Sequence, residues 1–310
     1  GGAPRLVGVV VSVVDEPTTK FAGLVSGELA VAGIAPTMAT LVSRDPSLRV
    51  ISYPVLLSNG IVFNAAREPF DDVRVRKAIS AAIDRKRIID AALAGYATPA
   101  YGPAPPDNPL ALGVPAPPAS AADSLLDAAG WTRAPDGRRT RGGKPLAFTL
   151  LTVGSGDNAV EQLLQADLRA HGITMAIRQL EFGAFLSEAR AKPKRFDALF
   201  TGIPGDLSLS YLAAMFDSKL SGGALDYAAF HTQQLDAAFD RVRDARTHDA
   251  LVGAWRDVQR TLDDETPVAW VYHSRGVQGV TSRLSGVRMD LRGEMPTIAD
   301  WRLAGSHAGQ

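Results

Sequence analysis

Two kinds of apolar pattern alternate along the chain, and they predict different elements. Leu6–Val14 (LVGVVVSVV) is almost wholly apolar and β-branched, the pattern of a strand buried on both faces. Leu29–Ile34, Val50–Val55, Gly60–Phe63, Leu146–Thr152, Asp197–Thr201 and Pro267–Tyr272 read as further strands. Ile173–Leu180 alternates, with Ile173, Met175 and Ile177 on one face. Between these runs apolar residues recur at helical spacing. Val75, Ala78, Ile79, Ala82 and Ile83 form a stripe behind a capping Asp71 or Asp72, and Val160, Leu163, Leu164 and Leu168 form another behind Asp157 or Asn158. Further helices are predicted from Asp15 to about Val25, from Asp84 to Gly95, and over Ser120–Ala129, Phe182–Ala191, Gln233–Arg246 and His248–Leu262. Pro99–Pro118 is too rich in proline for helix and predicts an ordered surface loop. Residues from about Ala304 predict a frayed tail. Strands interleaved with helices imply an α/β fold.

Composition narrows the function classes. Hydrophobic residues make up 46% and charged residues 21%, which places the chain among globular proteins rather than disordered ones. Lys+Arg and Asp+Glu are both 33, so nothing steers the chain toward nucleic acid or an acidic membrane surface. The absence of cysteine removes disulfides, thiolate metal sites and thiol nucleophiles. The five histidines show no HExxH spacing, so neither a metal nor any other cofactor is expected. The start at Gly1-Gly2-Ala3-Pro4 lacks the basic and apolar regions of a signal peptide, which is expected to be absent from this chain. Trp131, Trp255, Trp270 and Trp301 read as core or inter-lobe packing residues rather than stacking platforms.

One segment has the arrangement of an enzyme site. Gly154, Gly156 and Ala159 form a GxGxxA between a predicted strand and a predicted helix, and the next strand ends at Glu181. A dinucleotide site needs that context, although the acid lies farther on than usual.

A longer segment points elsewhere. Phe63-Asn64, then Pro69-Phe70-Asp71-Asp72, Arg74-Val75-Arg76-Lys77-Ala78 and Ala82-Ile83-Asp84-Arg85, resembles the signature of the family 5 extracytoplasmic solute-binding proteins, receptors of peptide, nickel and related ABC importers. Gly95–Pro106 and Ala119–Trp131 resemble two further segments of that family, as does Asp15–Gly33, with Ala30 where the family usually has Asp. Asp249–Val271 resembles its closing helix and strand. The resemblance also accounts for the strand–helix–strand around Gly154 as part of a lobe.

The resemblance implies two lobes that close on a ligand: a periplasmic-binding-protein-like fold (type II, cluster C), with one complete α/β lobe and a partial first lobe. The complete lobe is expected over 64–266, the partial one over 1–63 and 267–303, and a flexible tail over 304–310. Hinge crossings fall at Phe63 and Asn64 and at Thr266 and Pro267. Asn64 suits a sharp exit from a buried strand, because its side chain bonds its own backbone. Arg74 and Arg76 read as solvated or ion-paired. By the same resemblance, ligand contacts are expected from Asp157, Asn158, Phe182, Arg190, Ile203 and Asp206. Peptide binders use an Asp in the loop after Asp197–Thr201 for the peptide's amino terminus; here the spacing falls on Pro204, with Asp206 two residues on. The implied protein is a monomer without enzymatic activity. It captures a short peptide or other small polar solute outside the cytoplasmic membrane and serves ABC permease subunits, with no role for nucleic acid. A second reading is a truncated or proteolysed lobe without a working cleft.

Overall fold

The computed structural model describes residues 6–14, 16–118, 120–154, 158–293 and 295–304. Pro17 opens α1 (Pro17–Ser26), where a helix loses nothing by a missing amide, and Gly27 closes it in the left-handed backbone at φ 81°. Then follow β1 (Val31–Gly33), α2 (Ala39–Arg44), β2 (Leu48–Phe63), α3 (Val73–Ala82), α4 (Arg85–Ala92), β3 (Ala97–Pro99) and α5 (Ala121–Ala128). A small meander comprises β4 (Thr132–Arg133), β5 (Arg139–Arg141) and β6 (Lys144–Pro145). The alternating stretch is β7 (Ala147–Val153), α6 (Ala159–Ala170), β8 (Thr174–Leu180), α7 (Phe182–Arg190) and β9 (Ala198–Pro204). Last come α8 (Ser210–Phe216), α9 (Gln233–Asp244), α10 (His248–Glu265), β10 (Val268–Thr281) and the pair β11 (Leu284–Ser285) and β12 (Arg302–Leu303).

The main sheet has the order β1-β10-β2-β9-β7-β8, with β3 also on β10. β7 is parallel to both β8 and β9, while β9 is antiparallel to β2. From β7 the chain passes through α6 to β8 on one side, then through α7 to β9 on the other. The strand order therefore reverses at β7.

By compactness the chain divides into two units. The first takes the described residues of Gly1–Leu56, Ile89–Thr98 and Ser274–Gln310, with small cores around Leu24, Val42 and Val277 and around Val280, Leu284 and Trp301. The second takes Leu57–Ile88 and Pro99–His273. Its sheet carries a core on each face. Phe148 and Leu150 of β7 join Phe63, Phe70, Ile79 and Leu164 on one side, and Leu151 joins Phe185, Leu199 and Trp255 on the other, as the two-residue period of a strand requires. Phe63, Asn64, Thr266 and Pro267 lie within this second unit.

The caps expected from sequence at Asp72 and Asp84 are made: Asp72 accepts from the Arg74 amide and Asp84 from the Arg87 amide. All four tryptophans are buried, as expected. Other expectations need correction. Leu6–Val14 is not a strand; it has no ladder partner among the described residues, and Val7, Val9, Val10, Val11 and Val13 are exposed. Strand propensity without a neighbouring edge does not make a strand. Val50–Val55 and Gly60–Phe63 are parts of one strand, β2, because the ladder continues through Leu57, Ser58 and Asn59 opposite β9. β9 runs on to Pro204, so Ile203 is a strand residue and not a loop residue. For Arg76 the ion-paired alternative holds rather than the solvated one: it is 2% exposed, lies 3.4 Å from the Glu265 carboxylate and donates to the carbonyls of Phe70, Glu265 and Thr266. Asp15 and residues 305–310 lie outside the described residues.

Candidate functional site

In an open α/β sheet the crevice beyond the carboxyl ends of the strands, at the point where strand order reverses, is where ligands bind. Here that point lies at β7, and the edge is formed by the ends of β7, β8 and β9 at Val153, Leu180 and Pro204. Gly154 leaves β7 at φ 152°, a backbone that a residue with a side chain rarely adopts.

The same edge collects exposed apolar side chains. Among the described residues of the second unit, five large hydrophobic residues are exposed: Leu57, Val153, Phe182, Leu207 and Leu220. All but Leu220 sit here. Val153 ends β7, Phe182 opens α7 just after β8, Leu207 follows β9, and Leu57 pairs with Pro204. Phe182 is 59% exposed, a large ring left in water beside an apolar patch.

Among the described residues of this edge, Glu181 and Asp206 are engaged as helix caps. Glu181 accepts from the amides of Gly183 and Ala184 at the start of α7. Asp206 accepts from Ser208 Oγ (2.6 Å), Ser210 N (3.1 Å), Ser210 Oγ (2.7 Å) and Tyr211 N (3.3 Å), which holds the first turn of α8. Burial pulls the Asp206 carboxyl upward, but the bonds from Ser208, Ser210 and Tyr211 outweigh it and hold the group below its ordinary value.

Under the edge lies a buried polar set on β2 and β10. Ser58 Oγ is 2.8 Å from His273 Nδ1 and 3.3 Å from the Pro103 carbonyl, so its single proton serves one of them. Tyr211 donates to the same carbonyl at 2.8 Å. Burial pushes His273 down to about 4, which keeps the imidazole neutral at pH 7. Nearby in the fold, Thr152 at the end of β7 donates to Glu161 in the first turn of α6.

The structure brings some of the sequence-derived candidates together. Asn158, Phe182 and Asp206 all lie at this edge, with Asn158 Oδ1 accepting from Gln162 at 2.7 Å. Ile203 is near it in sequence but fully buried in β9. Arg190 occupies the last turn of α7, roughly 12 Å along the helix from Phe182 at 1.5 Å per residue, at the opposite end. Asp157 and Gly156 lie outside the described residues, whereas Ala159 opens α6. Ser58, Asn59 and His273 were not expected. Their signal was available: polar residues interrupt the apolar runs Leu56–Phe63 and Val268–His273 at positions where strands are buried. Among the described residues no group of three or more His, Asp or Glu could hold a metal ion, and no helix is long and apolar enough to cross a membrane.

Known proteins share this architecture. NikA from Brucella suis, solved in complex with Fe(III)-EDTA, superposes with a TM-score of 0.87 at 22% identity, over 98% of this chain and 63% of that one. Protein XP55 of Streptomyces lividans is 26% identical over 306 residues, 96% of this chain and 55% of its own. The probable di/tripeptide-binding protein 5 of Pseudomonas aeruginosa is 27% identical over 298 residues, 90% of this chain and 53% of its own. The chain thus spans about half the length of these curated relatives. Its fold is periplasmic-binding-protein-like, and residues 1–222 match the model described as "Bacterial extracellular solute-binding proteins, family 5 Middle", so the chain belongs to that family.

Proposed function

We propose that this chain is part of the substrate-binding component of an ABC importer. In this reading it works outside the cytoplasmic membrane as a monomer. It captures a short peptide or another small polar solute reversibly, without chemistry, and delivers it to membrane permease subunits. The observation that carries the reading is the edge at β7. Exposed apolar residues from four separate segments gather there, beside polar groups that are already oriented by their own hydrogen bonds. A preformed apolar surface with a few fixed polar groups is the usual make-up of a small-molecule site. The relative named for di- and tripeptides supports a peptide ligand. Within the proposal, Asp157, Asn158, Phe182 and Asp206 contact the ligand, Ile203 supports the edge from within, Arg190 at the far end of α7 is not part of this edge, and Phe63, Asn64, Thr266 and Pro267 are the hinge positions.

The test is a thermal-shift and calorimetric screen of di- and tripeptides, sugars and metal chelates. A true ligand at a hundred times its Kd stabilises the fold by about 2.7 kcal/mol. Phe182→Asp should remove that gain while leaving the ligand-free melting temperature nearly unchanged, because Phe182 is exposed. Stabilisation that survives Phe182→Asp would place the site elsewhere. No stabilisation by any solute would count against capture by this chain.

A further inference from the structure

At the opposite end of α7 the second unit has a groove of about 700 Å³. It lies between the α7-facing side of β7 and β8 and the segment that joins α7 to β9. Its walls carry Arg67, Arg178, Lys192 and Arg195 against Glu188 and Asp197. Four cations against two carboxylates leave an excess of two positive charges. In a chain whose total charge is zero, this excess is local.

The carboxylates are already placed. Glu188 pairs with Arg178 at 2.8 Å, and Asp197 with Arg67 at 3.3 Å while also accepting from the Thr149 amide at 3.0 Å. Arg67 also donates to the Arg195 carbonyl, which fixes the backbone of that segment. Lys192 and Arg195 are exposed and have no ion-pair partner among the described residues. The end of α7 would ordinarily turn negative carbonyls toward this groove. Lys194 covers one of them, donating to the Ala189 carbonyl at 2.7 Å. The result is a recess with two anchored guanidinium groups, the unpaired Arg195, the unpaired Lys192 whose ammonium rests against Gly222, and a partly neutralised helix end. Arginine on a fixed backbone is suited to bidentate recognition of phosphate and carboxylate oxygens.

We propose that this groove is a second binding site, separate from the edge at Phe182, for a small polyanion: one molecule carrying two or more negative charges as phosphate or carboxylate groups. Its volume is within the range of small-molecule sites. Arg67, part of the signature segment after β2, thereby has a role beyond shaping that corner.

Isothermal titration with inorganic pyrophosphate and with citrate tests this on the whole chain at low and high ionic strength. At least one probe should bind with one-to-one stoichiometry, and more weakly as salt is raised. Arg195→Glu and Lys192→Glu should each weaken it by about tenfold or more, whereas Arg195→Lys should weaken it less. Tighter binding of pyrophosphate assigns the groove to phosphate-bearing ligands, and tighter binding of citrate to polycarboxylates. Both charge reversals are at exposed positions, and circular dichroism confirms that each variant is folded. Absence of binding by both probes at low salt, or binding that neither reversal weakens, would overturn the proposal.

Discussion

Asp206 and His273 show how single side chains at the edge are committed by their neighbours. Asp206 spends both oxygens on the start of α8, where Leu209 takes φ 60° and offers no side-chain cap of its own. Asp206→Ala should therefore cost about 1–2 kcal/mol in urea unfolding at pH 7, the usual range for a lost cap. The sign of its pH dependence follows from its lowered pKa. The contribution is present above the ordinary carboxyl value and is lost as pH falls through the lower folded value, so wild type and variant should converge only in strong acid. His273 behaves in the opposite chemical sense. Its folded value of about 4 lies below the ordinary 6.5, so the unfolded chain takes up the proton first. Stability is therefore full above 6.5 and falls as pH drops from 6.5 toward about 4, by on the order of 3 kcal/mol at most. His273→Gln should flatten that slope in urea titrations between those pH values. An equally steep slope in the variant would show that other groups produce it.

Among the elements, two arginines two residues apart on α3 make the contrast between surface and interior measurable. Arg74 is 48% exposed and pairs with Asp72. Arg76 is buried and its guanidinium donates to Phe70 O at 2.7 Å, Glu265 O at 2.9 Å and Thr266 O at 3.2 Å, joining α3 to the end of α10. Arg74→Met should change unfolding free energy by less than about 1 kcal/mol. Arg76→Met should cost about 3–5 kcal/mol, because buried carbonyls lose their donors. Periodicity could not separate these residues, since both are charged and the stripe of α3 accounts for neither. Where an element depends on its own residues, the sequence was legible: α3 and α4 have their aspartate caps, and the alternation of Ile173–Leu180 puts Ile173, Met175 and Ile177 against one core. Where it depends on a distant neighbour, it was not. Leu6–Val14 has the residues of a strand and no ladder, β9 carries Ile203 past its expected end because β2 pairs with it, and α8 rests on a side chain four residues before its first turn. The site shows the same division. Phe182 was legible as the first residue of a helix and Asn158 as the residue before one, while Ser58 and His273 become neighbours only when β2 and β10 align, from positions 215 residues apart.

For the molecule as a whole, the two proposed sites make a joint prediction. They lie at opposite ends of α7, roughly 12 Å apart along a helix of nine residues. Phe185 and Ala189 fix that helix in the core, at 1% and 0% exposure, so a change at either end has little freedom to move the other. Charges separated by more than a Debye length, about 8 Å at physiological salt, are also largely screened. Phe182→Asp should therefore abolish solute stabilisation and leave pyrophosphate or citrate affinity unchanged, whereas Arg195→Glu should do the reverse. In the double variant each titrant should show the loss of its own single variant and no more, to within about 0.5 kcal/mol, as for independent sites. A coupling well above that value would mean that α7 shifts as a body when either end is occupied. The groove would then regulate solute capture rather than act as a separate site. The cycle needs only the four proteins and two titrants, and its readout is an affinity difference, which a general loss of stability would not reproduce.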